Sequence, residues 1–166
     1  LENFVRSGFQ HVHVTPDEQA MRVLNKIGLL DYGHPYLGWL ISIHTGVLRI
    51  SERFNVPLIF YSEDGEVEYG GDAKYKDEGI YGPEYQKEAY IQGYYNNTLE
   101  KSNLKKNQLY WFSFPEDEVL RKNNTKITHW GFYEDWDPYR NYEFAKKYCG
   151  LLENDTLNVG TYTNFG

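Results

Sequence analysis

Val56-Pro57-Leu58-Ile59-Phe60-Tyr61, followed at once by Ser62-Glu63-Asp64-Gly65-Glu66-Val67-Glu68-Tyr69-Gly70-Gly71, is the stretch on which the reading of the fold turns. The first six residues are a continuous apolar run, the pattern of a strand covered on both faces. Helical patterns precede it and further strand and helix patterns follow, which predicts an α/β fold with a mostly parallel sheet flanked by helices. In such sheets ligands bind beyond the carboxyl ends of the strands. Four carboxylates, Glu63, Asp64, Glu66 and Glu68, fall within six residues at that end, with glycines among and after them. A loop of this composition can hold a metal or a metal–phosphate group. A solvated acidic turn has the same composition, and its place at a strand end is what favours the first reading.

Working upstream, residues 36–55 read as a helix whose apolar stripe is Leu37, Leu40/Ile41, Val47/Leu48 and Phe54. His44 falls on that stripe. A core histidine is the plainer reading, and a helix end pointing toward a cleft is the other. Thr15-Pro16-Asp17-Glu18 opens an earlier helix, with Thr15 as N-cap and Pro16 at the first position, and Asp31-Tyr32-Gly33-His34-Pro35 breaks it. Phe9 to Val14 alternates and predicts a strand, with Val12 and Val14 on one face and His11 and His13 on the other. Two histidines at that spacing can ligate a metal, although exposed or hydrogen-bonded histidines account for them more simply. Residues 2–7 read as the end of a helix stopped by Gly8.

Downstream, residues 72–107 are polar and rich in Tyr, Gly and Lys, which suits an insertion or lid, or equally a partner surface. Within them Pro83-Glu84 opens a helix toward Tyr95. Leu109 to Phe114 predicts a third strand, Pro115-Glu116-Asp117-Glu118 a short helix to Lys122, and Lys126 to Phe132 a fourth strand. Asp137 reads as the N-cap, and Pro138 as the first residue, of a helix ended by Gly150. Residues 1–166 are read as a single α/β domain.

The chain carries a net charge of −7, against the basic stripe that a general nucleic-acid binder needs. No apolar run of about 18 residues suggests a membrane span, and no leader pattern is seen. Cys149 is the only cysteine, so neither an internal disulfide nor a cysteine-ligated zinc can form. A cytoplasmic location is expected. Sixteen Tyr and four Trp are an unusual load. Their rings suit a cleft for sugars or bases, as well as half-buried core positions. Leu1 in place of a start methionine, and an uncapped ending at Thr161-Tyr162-Thr163-Asn164-Phe165-Gly166, give the expectation of a piece of a longer protein that self-associates through exposed strand edges.

Three stretches point to one family. The acidic loop resembles the second nucleotide motif of asparagine synthetases, G-E-G-A-D-E-L-F-G-G. More closely, that loop, Trp136-Asp137-Pro138-Tyr139-Arg140-Asn141-Tyr142 and the tail Asn158-Val159-Gly160-Thr161-Tyr162-Thr163-Asn164-Phe165 resemble the N-acetyl-sugar amidotransferases over nearly the whole chain. The resemblance implies the ATP-pyrophosphatase version of the adenine nucleotide alpha hydrolase-like fold. It implies an enzyme of surface-glycan synthesis (lipopolysaccharide O-antigen or flagellin sugars) that turns an acetamido group of an N-acetyl sugar into an acetamidino group. ATP and Mg²⁺ would be its cofactors, and a glutaminase subunit would supply ammonia.

Carried over position by position, the resemblance makes Glu63 and Glu66 the catalytic acids, with Glu66 near Mg²⁺ and pyrophosphate. It makes Gly65, Gly70 and Gly71 the backbone that lets phosphate approach. Asp64 and Glu68 are secondary candidates. Trp136, Asp137, Tyr139 and Arg140 become sugar contacts, by ring stacking and a two-pronged guanidinium clamp; a helix cap and an ordinary ion pair are the competing account of the same residues. The family's first motif, S-G-G-x-D-S, is absent from the sequence and is expected upstream of Leu1, so this chain by itself is expected to be inactive. The alternative is a non-catalytic glycan-binding or subunit-docking module.

Overall fold

In the computed structural model, residues 2–62, 78–91 and 93–157 are described. They divide into two compact units, Val14–Trp136 and a smaller one formed by Leu1–His13 with Asp137–Gly166.

The larger unit begins with a tight helical hairpin, α2 (Glu18–Tyr32) and α3 (Leu37–Phe54). Asp17 caps α2, its Oδ1 accepting the Ala20 N–H at 2.8 Å. The cap therefore falls two residues later than expected at Thr15, on a side chain that accepts at least as well, and Pro16 precedes it. Gly33 ends α2 in the left-handed region at φ 69°, within the break expected from the sequence. α3 has no cap of its own. Instead Asn25, projecting from α2, accepts the N–H groups of Gly38 (2.8 Å) and Trp39 (3.2 Å) through one oxygen, so the first helix caps the second. The two helices are close enough to require glycine at both contacts. A Cβ on Gly38 would lie 2.8 Å from Leu24 Cβ. One on Gly28 would lie 2.5 Å from Leu37 Cβ and nearer still to the His34 carbonyl oxygen.

One core cluster fills the hairpin: Ala20, Leu24, Leu37, Ile41, Ile91 and Phe112, with Leu99, Leu104 and Phe114 packed around it. Ile91, Leu99 and Leu104 come from the polar stretch 72–107; Leu99 lies on α5 (Tyr95–Ser102). Of the stripe read on α3, Leu37, Leu40, Ile41 and Leu48 are buried, whereas Phe54 at the far end is exposed.

A second cluster, Leu48, Ile59, Leu120 and Ile127, joins α3 to the sheet. That sheet has two parallel strands, β1 (Leu58–Tyr61) and β2 (Lys126–His129), in the register Leu58–Lys126, Ile59–Ile127, Phe60–Thr128 and Tyr61–His129. Tyr81 adds a single antiparallel bridge to β2 by exchanging two backbone hydrogen bonds with Ile127, at 3.0 and 2.9 Å. Among the described residues it is thus β2, not β1, that has a neighbour on each edge. Helix α6 (Asp117–Lys122) leads into β2. Its following residue, Asn123, ties that turn to the end of α3 by donating to Ser51 Oγ (3.3 Å) and Thr125 Oγ1 (3.2 Å).

The apolar run at β1 is covered on one face only. Ile59 is buried, while Leu58 and Phe60 stay half exposed. An unbroken apolar run does not distinguish one covered face from two when the outward residues pack on other rings, as Phe60 does, stacked on Tyr133 and tilted against Trp130. Leu109–Phe114, read as a strand, instead forms a turn and a 3₁₀ segment, Tyr110–Phe112. Helix α3 consumes the carbonyls that a ladder would have used. Thr45 Oγ1 donates to the Trp111 oxygen at 2.5 Å, and Arg49 Nε donates to the Ser113 oxygen at 2.8 Å. Phe9–Val14 forms no strand either. Its alternation exposes Val12 and leaves too little apolar surface to hold an edge.

In the smaller unit, α1 (Glu2–Arg6) is tied to the chain's later part by Asn3, whose side-chain amide exchanges two hydrogen bonds with the Leu152 backbone at 2.9 and 2.8 Å. α7 (Pro138–Tyr148) starts where the sequence indicated. Asp137 Oδ1 accepts the Arg140 N–H at 3.0 Å, and Gly150 follows at φ 69°. No helix among the described residues is long and apolar enough to cross a membrane.

Gly28→Ala tests the hairpin. Alanine gains about 1 kcal/mol of helix propensity over glycine. The contact with Leu37 and the His34 carbonyl should outweigh that gain and leave the chain about 1–3 kcal/mol less stable in urea unfolding, the usual cost of overpacking. A stabilised variant would show that the two helices are free to separate.

Candidate functional site

The parallel register brings the last residues of both strands side by side, and both carry rings. Tyr61 and His129 stack with centroids 5.0 Å apart, 17° from parallel. Tyr81, held by its bridge to β2, also stacks on His129, at 5.8 Å, and brings its hydroxyl 3.0 Å from His129 Nδ1. The chain then turns through Gly82 into Pro83–Tyr85 (α4), which continues as a π-helix over Gln86–Tyr90. One added residue per turn is a distortion found most often at functional sites. It places Tyr85 and Tyr90 edge-on to Tyr81, at 4.8 and 6.4 Å. The Gln86 Nε2 donates to the Tyr61 hydroxyl at 3.3 Å.

From α3, His44 closes the group. It is fully buried, stacked on Tyr90 at 5.4 Å and edge-on to Tyr61 at 6.1 Å. Burial, helped by the nearby His129, pushes its pKa down to about 3, so the ring is neutral at physiological pH. Four tyrosines, two histidines and a glutamine thus meet at the carboxyl ends of β1 and β2. The group is aromatic and hydrogen-bonding and is mostly buried; only Tyr61 and Tyr81 are partly exposed. Those two are the members that a ligand ring or polar group can meet from solvent.

Glu63, Gly65, Glu66, Gly70 and Gly71, with Asp64 and Glu68, lie outside the described residues. What the structure places is their point of departure: β1 ends at Tyr61, and Glu63 follows after Ser62. Among the described residues no group of three or more His, Cys, Asp or Glu could hold a metal ion, which includes His11 and His13. Trp136 closes the larger unit and is partly exposed. Asp137, Tyr139 and Arg140 begin the smaller one. There Asp137 spends a carboxylate oxygen on capping α7, the competing account of that residue, and Tyr139 is 71% exposed. The sequence singles out His44 but not its companions Tyr61, Tyr81, Gln86, Tyr90 and His129. Their one signal is the high tyrosine content around residues 75–95, which carries no register.

The sequence matches no protein-family model and no curated protein.

His44 makes stability depend on pH. In the unfolded chain its pKa returns to about 6.5, above the folded value of about 3, so the unfolded state takes up a proton first as pH falls. The contribution is intact above pH 6.5 and is lost progressively between pH 6.5 and pH 3. Between pH 7.5 and pH 5 the loss should be about 2 kcal/mol, at roughly 1.4 kcal/mol per unit. Urea unfolding at the two pH values should show this drop in the wild type and a shallower one in His44→Phe, which keeps a ring against Tyr90 and Tyr61. Equal slopes would mean that His44 titrates normally.

Proposed function

We propose that this chain belongs to an ATP-dependent amidotransferase that converts the acetamido group of an N-acetyl sugar, or of its nucleotide-linked precursor, into an acetamidino group. The fold proposed with it is the adenine nucleotide alpha hydrolase-like fold. The observation that supports this reading best is a placement. A parallel strand, paired in register with a second and backed by a helix, hands the chain directly to an acidic, glycine-containing stretch at its carboxyl end.

The chemistry asks for two kinds of surface. An amide carbonyl is a poor electrophile, so its oxygen must be turned into a leaving group before ammonia can displace it. In this reading ATP supplies that group, and ammonia comes from a glutaminase partner. The described residues at the strand ends fit the neutral parts of such a system, a sugar or base ring and an amide. They do not fit the metal, whose ligands are assigned to Glu66, with Glu63 beside it. Mg²⁺ bound there would offset the charge of the departing pyrophosphate. Gly65, Gly70 and Gly71 would let backbone approach the phosphates. Trp136, Tyr139 and Arg140 remain candidates for sugar contact, with Asp137 fixing the helix start that carries the last two.

The test is pyrophosphate release by the full-length protein, given ATP, Mg²⁺, ammonia and a nucleotide-linked N-acetyl sugar. Wild type should release it in a sugar-dependent manner. Glu66→Ala should abolish release while leaving the thermal midpoint unchanged. Undiminished turnover in that variant would reduce the acidic stretch to a solvated turn.

A further inference from the structure

Gln86 stands in the first position of the π-helix and has no solvent exposure. One end of its side-chain amide, Nε2, faces the Tyr61 hydroxyl at 3.3 Å. The other end, Oε1, has no hydrogen-bond partner among the described residues. Rotating the amide by half a turn exchanges its ends and still leaves one of them unsatisfied. A buried amide atom without a partner is a standing cost that folded proteins rarely keep, and where they keep it a ligand, ion or water commonly completes it. Three separate features meet here: the unsatisfied atom, the helical distortion that positions it, and the carboxyl ends of two parallel strands. The neighbouring Tyr61 and Tyr81 are only partly buried while Gln86 is fully buried, so a ligand must displace a ring to meet its amide.

We propose that Gln86 is a specificity-determining residue whose side-chain amide hydrogen-bonds a secondary amide of the ligand, the acetamido N–H donating to Oε1. The inference rests on the amidotransferase reading for its substrate class and adds to it the residue that selects the group to be modified. A buried polar group is a strong filter. A sugar carrying the acetamido group satisfies Gln86, whereas a 2-deoxy sugar, which has no donor at that carbon, leaves it unpaired. The bond to Tyr61 fixes the amide in the orientation that offers its free end, so Tyr61 is a positioning residue.

The probes are UDP-N-acetylglucosamine and UDP-2-deoxyglucose, titrated into the protein and followed by calorimetry and by the Gln86 side-chain NH₂ signals in ¹⁵N–¹H spectra. The N-acetyl sugar should bind at least about tenfold more tightly, the usual worth of one well-made hydrogen bond. It should also shift the Gln86 signals, which UDP-2-deoxyglucose should leave in place. Gln86→Met, of similar volume and without a polar atom, should remove the preference while retaining the wild-type thermal midpoint. Preferential binding that leaves the Gln86 signals unmoved, or that survives in Gln86→Met, overturns this inference and leaves the amidotransferase reading standing. Failure of both sugars to bind the wild type overturns the two together. The spectra of the wild-type protein distinguish these outcomes even where the variant does not fold.

Discussion

The parallel pairing of β1 with β2 is the constraint on which the rest depends. A parallel pair cannot be closed by a tight turn, so the chain between Tyr61 and Lys126 must travel away and return. On the way it supplies part of the hairpin's core through Ile91 and Phe112, a second backbone neighbour for β2 through Tyr81, and the π-helix. The register then creates the site. It sets Tyr61 opposite His129, so two rings from distant parts of the chain stack at the same end of the sheet. A slip of one residue would turn Ile59 and Ile127 out of the second core cluster and the rings away from each other.

The sheet is held in place by polar contacts as much as by burial. Helix α3 contributes to both clusters and reaches out three times: through Thr45 and Arg49 to the carbonyls of residues 111 and 113, and through Ser51 to the Val56 carbonyl at 2.7 Å. The Ser51 bond anchors the chain two residues before β1, and those of Thr45 and Arg49 tie down the segment that carries Phe112. His44, on the same helix, packs against Tyr61 and Tyr90. His44, kept neutral by burial, lies within a shell of tyrosine rings at the carboxyl ends of the strands.

The helical parts of this fold are legible because their signals are local. Gly33, Asp137 and Gly150 are start and stop residues whose chemistry acts within a few positions, the cap of α2 falls on Asp17 two residues after the expected Thr15, and the α3 stripe repeats often enough to be unambiguous. β1 is legible as an apolar run and β2 as the first part of the strand expected over Lys126–Phe132, whose end, Trp130–Phe132, is a 3₁₀ turn; their parallel pairing follows from the helices between the strands. Leu109–Phe114 misleads because its apolar residues do pack, with Phe112 fully buried, but its carbonyls are claimed by Thr45 and Arg49 from a distant part of the chain. No local pattern encodes that. The aromatic site is hidden for the same reason. Tyr61, Tyr81, Gln86 and His129 each look ordinary in sequence, and only the strand register and one π-turn bring them together.

The central claim is that ligand binds at the carboxyl ends of β1 and β2. Photoaffinity labelling of the full-length protein with 8-azido-ATP, followed by peptide mapping, tests it most directly. The account predicts label that ATP competes away, on peptides spanning Tyr61 to Tyr90 and His129 to Tyr133. Label confined to the helix Pro138–Tyr148, or label that excess ATP leaves unchanged, would contradict it.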